Sequence, residues 1–417
     1  MKRTSKVLLP KELEAPDLIS IIGEERLDRL SRDLNADRCV TKLTASSVFK
    51  LLIHSILSEE RISLRIMGEN YSGVAFKAIA PETLGLHTAH SSIRDRPATI
   101  RPEFFEGIYG HVTGILAGHY GQRQLGQYNI RRYDSTMIST FSHLLEGMKV
   151  GNTKNKKNQV KMTTELTNEF EVRMSFFSDQ AHLGEDVALR EVIRSATRNK
   201  DDIIVFDRGL KSRAAFCELK KEKTLFVTRL HDKNRYKVIR PHQNPPEKPI
   251  DGLDFLGDSI VHLYGDGNRE VREEFRAVQV QVKKNGKKIW FLTNILFLPA
   301  EQIAQIYRMR WEIEVFFRFA KQEMNLTHFV CNDANAIRVM MYSTLIASML
   351  VLVYKKLNGI GSYKIAKKRF CRELESAFIL ELLKTPEGLA IYKKCLADQV
   401  RLARQMPPKK RKTKPDT

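Results

Sequence analysis

The stretch at residues 303–323, IAQIYRMRWEIEVFFRFAKQE, holds neither glycine nor proline, and Pro299 and Glu301 just ahead of it form a helix start. Apolar residues recur at Ile303, Ile306, Ile313, Phe316, Phe317 and Ala320, the spacing of a helix packed into a core. One continuous helix over 303–323 is therefore predicted. A polar stripe interrupts its pattern. Tyr307, Glu314 and Lys321 follow at intervals of seven, with Arg310 between the first two. Each interval is about two turns, so the groups share a face at steps of roughly 10 Å. A carboxylate flanked by two cations and a phenol, on a helix with an apolar back, suits a metal ion beside a phosphate. The plainer reading is a core helix with one solvated face.

The gaps narrow that choice. Tyr307, two residues, Arg310, three residues, Glu314, six residues, Lys321 resembles the Tyr-Arg-Glu-Lys signature of bacterial insertion-sequence transposases of the DDE group. Trp311 after the arginine also fits. The resemblance implies that two aspartates elsewhere in the chain complete an acidic triad with Glu314.

Outward from the helix, strand signals begin near Tyr128. YNIRRYDSTMIST from Tyr128, NQVKMTTEL from Asn158 and EVRMSFFSD from Glu171 read as neighbouring strands, and residues 185–195 as a helix. Lys154, Lys156 and Lys157 lie near Gly151 and Asn152 in a basic turn between the first two strands, able to meet phosphates. Then DDIIVFDRGL places the apolar run 203–206 directly before Asp207 and Gly209. An aspartate closing an apolar strand stands at the carboxyl edge of a sheet, where ligand sites in such sheets lie. Asp134, in RRYDST, belongs to the first strand. The order of three strands, helix, strand, helix predicts an α/β fold with a ribonuclease-H-like mixed sheet flanked by helices. Residues 223–294 turn strand-rich again, with Gly265, Gly267 and Gly286 as turns, and read as a β-rich insertion.

The 417 residues carry 70 Lys and Arg against 49 Asp and Glu, a net charge of +21 spread from Lys2 to Lys414. Such a chain is expected to bind a polyanion, nucleic acid before others. Hydrophobic residues make up 42% of the chain, enough for a sizeable core. The five cysteines form no CxxC pair, so reduced thiols in a cytoplasmic protein are expected, without a structural zinc; the resemblance implies a bacterial, nucleoid-associated one. The uncharged run 339–354 is sixteen residues long, short of a comfortable membrane span, and predicts a buried core helix.

The predicted organisation is an N-terminal helical DNA-binding domain (1–122), a catalytic core in two parts (123–230 and 291–330) around the insertion (231–290), a C-terminal helical region (331–405) and a basic tail (406–417). Asp134, Asp207 and Glu314 match the triad of the resembled family in the order strand, strand, helix. The resemblance makes them ligands of two Mg²⁺ ions, with Mn²⁺ able to substitute. Such a pair of cations clamps a scissile phosphate and stabilises attacking and leaving oxygens. Tyr307, Arg310, Lys321 and Arg208 are then phosphate contacts. Trp290, in KIWFLTNI, matches a tryptophan that works with a flipped-out base in family members cutting through a DNA hairpin; a core tryptophan is the other reading. The implied function is cut-and-paste transposition, with double-stranded terminal inverted repeats and target DNA as partners of a homodimer. A DNA nuclease of the same fold and an idle DNA-binding descendant are the alternatives.

Overall fold

A computed structural model describes residues 14–120, 125–139, 148–150, 157–167, 171–230, 235–242, 246–265, 270–331 and 333–405. In chain order the helices α1 (Ala15–Ser20), α2 (Glu24–Asp33), α3 (Ala45–Ser58), α4 (Leu64–Ser72), α5 (Val74–Ile79), α6 (His90–Thr99) and α7 (Pro102–Tyr120) come first. Strands β1 (Asn129–Ser139), β2 (Met148–Val150), β3 (Lys157–Thr167) and β4 (Glu171–Phe177) follow, then α8 (Glu185–Ser195), β5 (Asp202–Phe206), α9 (Arg213–Lys221) and β6 (Leu225–Arg229). Next are β7 (Tyr236–Pro241), β8 (Leu253–Tyr264), β9 (Glu270–Val282) and β10 (Lys288–Thr293), then α10 (Ala300–Met309) and α11 (Trp311–Gln322). Helices α12 (Ala334–Leu357), α13 (Tyr363–Leu383) and α14 (Pro386–Gln405) close the order.

The chain forms two compact units. The first joins both ends of the sequence, Met1–Val112 with Glu323–Thr417. There α12 packs against α3, α6 and α13, and α13 packs against α5 and α1. Thr44 caps α3 by accepting from the Ser47 amide at 3.1 Å. His54 on α3 meets Glu375 on α13 at 2.9 Å. Helix α12 is long and apolar enough to cross a membrane by length alone, but 83% of its most apolar window is buried inside the protein. It is the core helix that its sequence predicts.

The second unit, Thr113–Gln322, is built on a mixed sheet that has ten strands among the described residues. Its order is β2-β3-β1-β5-β6-β10-β9-β8-β7, with β4 also paired to β3. β1 runs antiparallel to β3 and parallel to β5, and β5 is parallel to β6. This is the expected ribonuclease-H-like arrangement. The β-rich insertion continues the same sheet: β10 adds to β6 antiparallel, and β9, β8 and β7 follow outward.

All five residues of β5 are buried, because the strand is central and covered on both faces. Ile204 and Phe206 face a core with Phe216 of α9 and Leu189 of α8. Ile203 and Val205 face the opposite core, with Ile303 and Ile306 of α10. Buried Arg131 on β1 bonds Glu165 of β3 and Asp202 of β5, each at 2.9 Å, and so ties three strands together.

The single helix predicted over 303–323 is two helices, divided at Arg310. No glycine or proline marks the division. The Arg310 amide bonds back to the Tyr307 carbonyl and the Ile313 amide to the Arg310 carbonyl, both at 3.1 Å. These tighter three-residue bonds replace the α-helical ladder for one turn.

Candidate active site

The register of the central strands brings the first two acids together. Tyr133 pairs with Phe206 in the parallel β1–β5 ladder, so Asp134 and Asp207 are the next residues along it. Neighbouring strands lie about 4.8 Å apart. Alternation along β1 puts Arg132, Asp134 and Thr136 on the face that carries Ile130, beneath α10 and α11. Asp207 continues the face of Ile203 and Val205 and stands just past the end of β5.

The residues of α10 and α11 reach down onto this edge. The Tyr307 hydroxyl donates to Asp207 Oδ1 at 3.1 Å. Its ring packs on Phe291 of β10, with centroids 5.0 Å apart. Arg310 Nη1 donates to Asp134 Oδ2 at 3.2 Å, and Nη2 makes a short bond to Glu314 Oε1. Lys321 Nζ bonds Thr136 Oγ1 and donates to the Met137 carbonyl at 3.3 Å. Asp134, Asp207, Glu314, Tyr307 and Arg310 thus form one neighbourhood, with Lys321 of α11 beside it, bonded to β1.

The guanidinium of Arg310 stands between Asp134 and Glu314. Among the described residues, no three acids, histidines or cysteines are arranged as a ready metal cage. Like charges at this range repel, and Arg310 supplies the neutralising charge. Burial acts against its own charge, but Tyr307, Glu314, Asp207 and Asp134 outweigh burial and hold it above the ordinary arginine value. Burial pushes the Asp134 carboxyl up to about 6. Arg310 and the Ser135 amide, which donates to Asp134 Oδ1 at 2.8 Å, oppose that rise, while the charges of Glu185 and Asp207 add to it. Burial raises the Tyr307 phenol, helped by Asp207, and lowers the Lys321 ammonium, opposed by Asp134.

Glu185, the first residue of α8, joins this edge, although nothing in its local sequence marks it. Burial, then the charge of Asp207, raises its carboxyl. A Cβ on Gly209 would stand 2.4 Å from its Cδ and 2.7 Å from both oxygens, so any larger residue there would displace the Glu185 carboxylate. The next residue, Asp186, accepts from the amides of Lys211 and Ser212 at 2.6 and 2.9 Å. The first turn of α8 therefore holds the loop that follows Asp207. Arg132, Thr136 and Glu312 likewise enter only through the fold.

Other expected contacts lie apart. Arg208 is exposed beside Asp207. Trp290 is half-buried and packs with the core on the α8 and α9 face, whereas Phe291 beside it lies on the Tyr307 face. Lys157 begins β3, while Lys154 and Lys156 lie outside the described residues.

The donors on this edge are carboxylate oxygens, the chemistry that a hard divalent cation prefers. A carboxylate pair at the edge of a ribonuclease-H-like sheet is thus faced by a helix with a third acid and two cations. The match of residues 126–350 to the Transposase DDE domain family places the chain in that family. A protein of Sinorhizobium fredii named as a transposase is 26% identical over 263 residues, covering 61% of this chain and 69% of its own length. A protein of Geobacillus stearothermophilus, named as a transposase for an insertion sequence element, is 28% identical over 180 residues, 42% of this chain. One of Synechocystis with a similar name is 26% identical over 178 residues, 41% of this chain. The latter two matches cover 46% of each relative. The chain belongs to the DDE transposases of bacterial insertion sequences. DNA is the partner of this family, and its chemistry depends on a divalent metal.

Proposed function

We propose that this transposase cuts at the terminal inverted repeats of its element and joins the freed 3′ ends to target DNA. The observation that carries the reading is the neighbourhood in which Arg310 bonds both Asp134 and Glu314 while Tyr307 holds Asp207. Asp134, Asp207 and Glu314 would hold Mg²⁺, or Mn²⁺ in its place. Bound there, the metal supplies charge neutralisation at the scissile phosphate and an activated oxygen nucleophile. The chain itself supplies position. Arg310 offers a planar fork and Lys321 a point charge to phosphate oxygens. Tyr307 keeps Asp207 turned toward the same edge. Arg208, Lys154, Lys156 and Lys157 extend the phosphate contacts along the DNA. Synapsis of two ends calls for a homodimer. Trp290 takes an extruded base if excision passes through a hairpin.

The test uses a duplex carrying the element's own end, with and without Mg²⁺. Asp134→Asn, Asp207→Asn and Glu314→Gln should each abolish cleavage while leaving DNA binding in place. Cleavage by Glu314→Gln at the wild-type rate would leave a binding protein only. A pre-cut end that never joins a plasmid would make the enzyme a nuclease. Trp290→Ala should impair hairpin formation more than first-strand nicking; equal loss of both steps would return Trp290 to the core.

A further inference from the structure

Three alternate residues of β1 are each bonded to α11 or to the turn that starts it. Arg132 Nη2 meets Glu312 Oε2 at 3.0 Å, Asp134 Oδ2 accepts from Arg310 at 3.2 Å, and Thr136 Oγ1 meets Lys321. The last two contacts use residues of the signature. The first does not. Arg132 is completely buried, in the middle of a strand, with Leu166 O as a further, longer acceptor at 3.4 Å. Glu312 is half exposed and lies in the first turn of α11, two residues before Glu314.

We infer that the Arg132–Glu312 pair positions Glu314, and so sets the third acid against Asp134. The inference rests on the proposed catalytic role of Asp134 and Glu314. Residues 312 and 314 of one helix are about 200° apart around its axis and roughly 3 Å apart along it. Anchoring Glu312 to a fixed point on β1 therefore fixes both the rotation and the height of Glu314. The anchor is needed because the helix is interrupted at Arg310, where one turn lacks the α-helical ladder. Without it, the first turn of α11 is held to β1 only through Arg310, and the far end of the helix through Lys321. An ion pair with one buried member adds little stability over a well-packed apolar pair of the same size. What Arg132 and Glu312 add is direction, because the guanidinium fork accepts its partner in one plane.

The test compares Glu312→Gln, Glu312→Ala and the double variant Arg132→Met with Glu312→Leu, beside Glu314→Gln as control. Single-turnover cleavage of a duplex bearing the element's end is measured in Mg²⁺ and in Mn²⁺, and affinity for the same duplex separately. Hydrogen exchange of α11 is followed without metal. A misplaced carboxylate should slow cleavage about ten- to a hundredfold with affinity unchanged. The loss should be larger in Mg²⁺, which demands near-ideal octahedral geometry. Exchange should quicken in the first turn of α11 and not elsewhere in the sheet unit. The double variant should melt like the wild type and still cut slowly. A wild-type rate for Glu312→Ala, equal losses in both metals, or a double variant restored to full rate would overturn the inference. Cleavage by Glu314→Gln would instead remove the catalytic reading beneath it.

Discussion

Asp134 pairs its role with a thermodynamic cost. Its carboxyl is pushed up to about 6 by burial, with Glu185 and Asp207 adding repulsion. The folded protein therefore holds this proton more tightly than the unfolded chain, whose aspartate titrates near about 4. The contribution is most favourable below about pH 4, falls as pH rises, and is fully lost above about pH 6. Asp134→Asn should abolish cleavage in Mg²⁺, yet in metal-free protein it should raise stability above pH 6 by about 1–2 kcal/mol, since the amide oxygen can still accept from Arg310. The gain should vanish near about pH 4. Urea melts of both proteins in EDTA at the two pH values check this, and a gain equal at both would refute the cause given. Gly209 offers a second test at the same scale. Its missing side chain leaves the space that the Glu185 carboxylate fills. Gly209→Ala should push the Glu185 carboxylate aside and destabilise by about 1 kcal/mol, the low end of overpacking costs. Paired with Glu185→Ala it should recover most of that loss, because the two side chains then no longer compete. Melting the single and double variants side by side measures the recovery, and none at all would mean that the two do not meet.

Among the elements, the connection from β10 to α10 decides where Tyr307 stands. Arg276 of β9 is fully buried and makes two-pronged contact with Asp258 of β8, at 3.0 Å from Nε and 2.6 Å from Nη2. Its Nη1 donates to the carbonyls of Ile295 and Leu298, just ahead of α10. Arg276→Met strands a buried carboxylate and two carbonyls, and should destabilise by about 3–5 kcal/mol. Replacing both partners with Met and Leu should be far milder. Thermal unfolding of the two proteins separates these outcomes. The elements also show which features the chain discloses locally. The run 203–206 and the spacing of Tyr307, Arg310, Glu314 and Lys321 are legible because a strand and a helix turn fix their neighbours in sequence. Asp134 and Asp207 become partners through the β1–β5 register, which the fold alone discloses. Glu185 looks like any acid at a helix start, and Arg132 looks out of place in a buried strand until Glu312 is seen above it. Their roles arise from contacts 24 to 180 residues away: Glu185 with Gly209 is 24 positions distant and Arg132 with Glu312 is 180. The joint at Arg310 is hidden for another reason. It keeps helical dihedrals, φ −57° and ψ −30°, and no residue type announces it.

Across the whole molecule the excess of positive charge is the dominant feature, +21 in 417 residues. The sheet unit lies within the sequence of a helical unit made from both chain ends, so neither end alone accounts for that charge. The terminal stretch 406–417 holds Lys409, Lys410, Arg411, Lys412 and Lys414 against Asp416, a net of +4 out of +21. Most of the attraction to DNA must therefore come from the body of the protein. Each phosphate neutralised releases condensed counterions, so affinity falls with salt at a slope of about −0.9 per contact. A protein with about six to ten such contacts loses roughly 10³ to 10⁵ in affinity between about 50 and 200 mM salt. The full chain should fall in that range on a duplex bearing the element's end. Removing residues 406–417 should lower the slope by no more than about five and leave a steep dependence behind. The difference between end-bearing and unrelated duplex should change little with salt, because base contacts release few counterions. Titrations of both proteins on both duplexes over this salt range settle the matter. If truncation abolished the salt dependence, the charge of the folded units would have no part in holding DNA.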